Sequence, residues 1–284
     1  MEPGIIRLYD DFTHGRLNRR AFLERLAALA GGATAATALL SALENDYARA
    51  ETIAEADPRI SAETVAVPGA ENLSGYLVRP KGVARAPAVL VIHENRGLNP
   101  HIKDVTRRVA TEGFVALGLD FLSPMGGTPA DQDKGREMIG GLDPADATSY
   151  GRAAIAWLGR RPETNGRVGA VGFCWGGGMV NRLAVAEPAL DAGVVYYGIQ
   201  PPLDQVAAVR APLLLHYAGL DERINAGAEA YGAALKAAGK TVEAHVYPDV
   251  NHAFNNDTAG PRYDEAAADL AWGRTIAWFR RHLA

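Results

Sequence analysis

The chain has one cysteine, Cys174, and its neighbours give it a setting in which a thiol can act as a nucleophile. Gly172-Phe173-Cys174-Trp175-Gly176-Gly177-Gly178 lies between an apolar strand pattern and a helical one, which is the G-x-C-x-G form of a nucleophile elbow. A strand-to-helix turn this tight strains the central residue and leaves no room for side chains at Gly172 and Gly176. It also aims a helix N-terminus at the sulfur, whose field favours a thiolate, and offers the backbone NH of Trp175 to a developing oxyanion. A thiol of this kind needs a base, and the base needs an orienting group. Asp221, in the turn after the strand pattern PLLLHY, and His252, in the loop after TVEAHVY, follow Cys174 in the order nucleophile, acid, histidine. Taken singly, each has a plainer reading: a buried free cysteine by a packing turn, an aspartate capping the next helix, a surface-loop histidine. Their agreement in order and in position after strands favours a triad.

The elements that must hold these residues alternate. A short opening pair is expected at 64–67 and 73–78, then strands at 86–93, 114–120, 167–173, 192–197, 212–217 and 241–247. Helical patterns fall near 104–112, 131–140, 144–160, 175–187, 224–238 and 263–282. The run APAVLVIH is apolar almost throughout, as in a strand covered on both faces. The pattern predicts an α/β fold with a mainly parallel central sheet covered by helices on both faces, spanning 57–284.

Residues 1–56 have a different texture and are read as an N-terminal helical arm. Arg19-Arg20-Ala21-Phe22-Leu23 precedes a weakly apolar run from Leu26 to Leu43, which resembles a twin-arginine export signal with Ala48-Arg49-Ala50 as a small-residue cleavage site. Glu2, Asp10 and Asp11 offset Arg7 and Arg16, however, and Asn18 stands where such signals place Ser or Thr. Phe22, Leu23, Leu26, Leu29 and Ala30 recur at helical spacing, so a retained amphipathic arm, packed on its own body or on a second copy of the chain, is the favoured reading. Cytoplasmic localisation goes with it, and periplasmic export is the alternative. The run is too weakly apolar for a stable membrane span.

Composition narrows the partners. Lys+Arg 29 against Asp+Glu 33 gives a net charge of −4, and no block of like charges appears, so nucleic acid is not expected. A lone cysteine excludes an intramolecular disulfide and a cysteine zinc cluster. His216 and His245 fall in strands, and His14, His93, His101 and His282 lack ligand spacing, so neither a metal nor a cofactor is expected.

Over roughly residues 60–284 the motifs GFCWGGG, GLDERI and VNHAF, with His93-Glu94-Asn95-Arg96-Gly97-Leu98-Asn99 straight after APAVLVI, resemble the dienelactone hydrolase family of α/β-hydrolases, in a long form with an N-terminal arm. The resemblance implies an α/β-hydrolase fold, a Cys174-His252-Asp221 triad, and oxyanion NH groups from Trp175 and Asn95. It also implies that Glu94 contacts the resting cysteine until substrate displaces it. Read from the residues alone, Glu94 is a poorly solvated carboxylate beside the elbow, whose plainer role is to pair with Arg96 or another arginine. The chain departs from the family at two places: Asn256 stands where dienelactone-cleaving members carry a carboxylate-binding arginine, and residues 121–130 lack the second one. The expectation is a cysteine-dependent hydrolase of carboxylic esters or lactones, neutral ones favoured. A redox- or electrophile-sensing thiol protein and a non-catalytic binding protein on the same scaffold are the rivals.

Overall fold

The computed structural model describes residues 1–284, the side chain of Arg49 excepted. After three N-terminal helices, α1 (Pro3–Thr13), α2 (Arg19–Ala30) and α3 (Ala33–Leu43), the chain runs β1 (Ile60–Ala66), β2 (Ser74–Pro80), β3 (Ala86–Ile92), α4 (Pro100–Thr111), β4 (Val115–Asp120), α5 (Gln132–Gly141) and α6 (Pro144–Leu158). It continues through β5 (Thr164–Phe173), α7 (Trp175–Ala186), β6 (Ala192–Tyr196), β7 (Leu213–Ala218), α8 (Glu222–Asn225), α9 (Ala228–Ala237), β8 (Val242–Tyr247) and α10 (Glu265–His282).

The eight strands form one sheet in the order β1-β2-β4-β3-β5-β6-β7-β8. β1 and β2 pair antiparallel, as does β2 with β4, and every later pairing is parallel. The central strands β3 to β7 are apolar almost throughout because both faces are covered. One core, with Leu90, Ile92, Leu117, Ala170 and Leu215, packs beneath α6, α7 and α9. The other, with Val89, Val91, Val171, Val194 and Leu214, packs beneath α4 and α10. This is the mainly parallel, doubly covered α/β sheet that the strand and helix pattern predicts, and it agrees with the α/β-hydrolase fold that the resemblance implies. From β3 the chain steps outward to β4 on one side, and β5 then takes the place on the other side of β3. The carboxyl ends of β3 and β5 therefore flank a reversal of strand order, where open α/β sheets bind ligands.

Two expectations need correction in detail. The helix expected over 224–238 is two helices separated at Ala226-Gly227, the short α8 starting at its N-cap Asp221 and α9 starting after Gly227. The amphipathic face expected from Phe22 to Ala30 lies within α2, which ends at Gly31 in the left-handed region before α3 begins. On that face Phe22 and Leu26 are fully buried, whereas Leu29 is 51% exposed. No single helix among the described residues is long and apolar enough to cross a membrane, and the apolar α2–α3 pair is bent by 110°.

The three N-terminal helices share a small core of their own, in which Phe12 stacks on Phe22 with centroids 4.3 Å apart and Tyr9 meets both edge-on. They are tied to the body of the same chain. Arg96 donates to the Tyr9 hydroxyl, Arg262 to the Leu43 carbonyl and Asn45, and Gln132 to the Asn45 carbonyl. Arg136 lies over the Phe12 ring at 4.2 Å and Arg262 over Tyr9 at 5.0 Å.

Candidate active site

Cys174 sits between β5 and α7 with φ 55° and ψ −112°, a positive φ that a non-glycine residue adopts only when its surroundings impose it. The neighbouring packing does impose it. A Cβ on Gly172 would lie 2.1 Å from the Gly176 carbonyl oxygen, and one on Gly176 would lie 2.4 Å from that of Ile92. Strand, turn and helix are thus pressed together more closely than any side chain permits, which holds the sulfur up at the sheet's carboxyl edge. Trp175 is the first residue of α7, so its NH has no acceptor within the helix. Its indole stacks on His93, centroids 5.3 Å apart, next to the Glu94-Asn95 turn that ends β3.

His252 and Asp221 meet behind this turn. The imidazole Nδ1 lies 2.5 Å from Asp221 Oδ2, and both residues are buried. Asp221 Oδ1 meanwhile accepts from the Ile224 backbone NH, so one carboxylate caps α8 and holds the histidine at once. Burial opposes charge on both groups and is outweighed. Asp221 is brought down to about 2, chiefly by His252, and His252 is raised well above the ordinary imidazole value by Asp221 and Cys174. A ring nitrogen of His252 lies within 4.8 Å of the sulfur, and its Nε2 meets no partner at hydrogen-bond geometry among the described residues.

The Glu94 carboxylate meets an unexpected partner. It accepts from Asn256 Nδ2 at 2.9 Å, and Asn256 Oδ1 in turn accepts from the backbone and hydroxyl of Thr258. Among the described residues, neither a hydrogen bond to Cys174 nor an ion pair with Arg96 is formed by Glu94; Arg96 turns to Tyr9. The asparagine that replaces an arginine is thus the group that anchors Glu94.

What stands against the sulfur instead is a residue the sequence left without a role. His14, at the C-terminal end of α1, places Nε2 3.3 Å from Cys174 Sγ and packs edge-on against His252, rings 4.7 Å apart. Asn95 Nδ2 donates to the Thr13 carbonyl, which fixes this end of α1 beside the site. The one local signal was the apolar spacing of Ile5, Ile6, Leu8, Tyr9 and Phe12, which marks residues 3–13 as an amphipathic helix with a buried face. Nothing in that spacing says which surface the face meets.

Cys174, Trp175, Asn95 and Tyr197 line a cavity of about 950 Å3 together with Phe12 and His14 of the N-terminal segment. Arg19, Arg136 and Arg223 also reach it. Arg19 and Arg136 both pair with Asp133, whereas Arg223 forms neither ion pair nor hydrogen bond among the described residues. The two positions expected to bind a carboxylate lack arginine, yet Arg223 of α8 lines the cavity.

A strained strand-to-helix turn at the sheet's switch point, opening on such a cavity, is the arrangement of the α/β-hydrolase fold. Residues 73–283 match the family described as dienelactone hydrolase, and residues 1–31 match a second one described as YqhI-like. The chain belongs to the dienelactone hydrolase family and is a hydrolase. It is 33% identical over 243 residues to a protein of Salmonella typhi provisionally named carboxymethylenebutenolidase, covering 80% of this chain and 89% of that one. A protein of Methylorubrum extorquens with the same provisional name is 34% identical over 74% of this chain and 77% of its own length. Among solved structures, a dienelactone hydrolase, so named provisionally, from Klebsiella pneumoniae superposes with a TM-score of 0.70 at 30% identity, covering 78% of this chain and 99% of that one.

Proposed function

We propose that the chain hydrolyses carboxylic esters or lactones through a thioacyl-enzyme, with Cys174 as nucleophile, His252 as proton carrier and Asp221 as its orienting group. The observation that carries this reading is the buried Asp221–His252 contact of 2.5 Å standing next to a cysteine held at φ 55° on the wall of a substrate-sized cavity. The Cys174 thiolate adds to the acyl carbon, and the carbonyl oxygen takes up negative charge between the NH groups of Trp175 and Asn95. His252 gives its proton to the departing alkoxide, then takes one from the water that attacks the thioester and returns the sulfur. Asp221 keeps the imidazole in the tautomer whose Nε2 faces the reaction.

The relatives named as carboxymethylenebutenolidases support a lactone or ester of an unsaturated acid as substrate class. Arg223, without an ion-pair partner on the cavity wall, gives a carboxylate-bearing acyl group a place to sit, so the preference for neutral esters expected from Asn256 is dropped. Glu94 is the carboxylate that a resting cysteine meets in the family; here Asn256 holds it ready beside the elbow. Residues 1–56 remain part of the working protein in this reading, because Phe12 and His14 complete the cavity wall.

The test is turnover of a panel of activated aryl esters and lactones by the wild type, Cys174→Ala and His252→Ala. Both variants are expected to lose activity by roughly 10³-fold or more. Unchanged turnover in Cys174→Ala would sink the assignment. A sensing thiol would instead show little turnover in any of the three proteins.

A further inference from the structure

Three groups with metal-binding atoms converge where the mechanism uses two. A ring nitrogen of each of His14 and His252 and the Sγ of Cys174 all lie within 4.8 Å of one another, and His14 Nε2 is 3.3 Å from the sulfur. With metal–sulfur and metal–nitrogen bonds of about 2.3 and about 2.0 Å, the ligand atoms of a tetrahedral site stand roughly 3.3 to 3.7 Å apart. The His14–Cys174 pair already stands at that spacing, and the other separations, within 4.8 Å, close to it on binding.

The outer partners are arranged as a metal site requires. His14 Nδ1 lies 2.8 Å from the Asp10 carbonyl oxygen, which only accepts, so Nδ1 carries the hydrogen and Nε2 turns a lone pair toward the sulfur. His252 Nδ1 likewise donates to Asp221 Oδ2, and its buried Nε2, in a residue 3% exposed, has no hydrogen-bond partner. Histidine ligands are held in this way, with the far ring nitrogen on a carbonyl or carboxylate that fixes the tautomer. Among the charges around the cluster, the acids Asp221 and Asp10 favour a cation, whereas Arg223, Arg96 and Arg262 oppose it. His14 and Cys174 both face the cavity, which leaves the fourth position of a tetrahedron to water or a small ligand.

We propose that His14, Cys174 and His252 form a three-ligand site for a divalent cation of the zinc class, built jointly by the N-terminal helix and the hydrolase body. Binding joins the metal to the sulfur and the two Nε2 atoms, and one proton, from the thiol or from the His252 imidazolium, leaves to solvent. The sulfur lone pair then lies in the metal bond, so metal and ester compete for the same atom. The competition rests on the thiol-hydrolase reading, whereas the binding itself does not.

Cobalt(II) titrated into the metal-free full chain is the direct test. The wild type is expected to develop the near-ultraviolet thiolate-to-cobalt band and the visible bands of tetrahedral cobalt, which zinc then displaces. Cys174→Ser should abolish the thiolate band. His14→Ala should weaken cobalt binding by at least tenfold, since even loss of an outer partner costs about 10- to 100-fold. His14→Gln, close in shape to the native side chain, repeats the measurement should His14→Ala disturb folding, with circular dichroism as the check. No thiolate band in the wild type, or equal affinity in all three proteins that keep the cysteine, overturns the proposal. Neither result depends on ester turnover, so a failed hydrolase assignment would remain distinguishable.

Discussion

Asp221 shows how two plain demands can meet in one side chain. Its Oδ1 caps α8 and its Oδ2 meets His252, so the helix-capping contact and the contact that the proposed triad needs fall on the same carboxylate. The signs of the shifts follow. Asp221, brought down to about 2 from an unfolded value near 3.9, contributes stability above about pH 4 that is lost as pH falls through 2. His252, raised above its unfolded value near 6.5, contributes fully below about pH 6.5 and loses that contribution as pH rises through the folded value. Asp221→Asn removes the group that outweighs burial, so His252 should become neutral at lower pH. Ester turnover near pH 7 should then fall by about 10² to 10⁴-fold; a pH–rate profile within twofold of the wild type would contradict this. The cysteine, the aspartate and the histidine were readable because each lies in a local motif whose turn geometry is set by its own neighbours. His14 was not, because its partner lies 160 positions away and no local spacing encodes that meeting. Asn256 was readable only as a missing arginine, and its bond to Glu94 is likewise a product of tertiary packing.

At the level of elements, the strand and helix pattern gave the order of the body because both-face burial writes long apolar runs into β3 to β7. The helical arm was legible as an amphipathic segment but not as three helices, since its breaks depend on Gly31, Gly32 and the turn after Thr13 more than on apolar period. Its small core should control access to the sulfur. Phe22 is fully buried between Tyr9 and Phe12, so Phe22→Ala should cost about 3 to 5 kcal/mol of the arm's packing and loosen α1 over the site. Alkylation of Cys174 by a small maleimide is the readout. A rise of roughly tenfold or more is expected, with the melting of the body little changed. An unchanged alkylation rate would show that α1 does not guard the thiol.

Across the whole molecule, the sheet does what the single cysteine could only suggest. Crossing from β4 past β3 to β5 brings the Glu94-Asn95 turn beside the elbow, and the loops after β7 and β8 then deliver Asp221 and His252 to the same edge. Order along the chain was visible in the sequence, whereas the closure of the cavity by the N-terminal helices was not. The modest net charge of −4 says nothing of this local distribution, in which Arg223 and two carboxylates crowd one small site. The central claim is that acyl transfer passes through the Cys174 sulfur. Intact-protein mass spectrometry within the first turnovers of an activated aryl ester tests it most directly. The predicted result is one acyl group added to the wild type, mapped to Cys174, lost again as product forms and absent in Cys174→Ala. Product release at the wild-type rate with no acyl group on Cys174, or the same adduct in the alanine variant, would contradict the account.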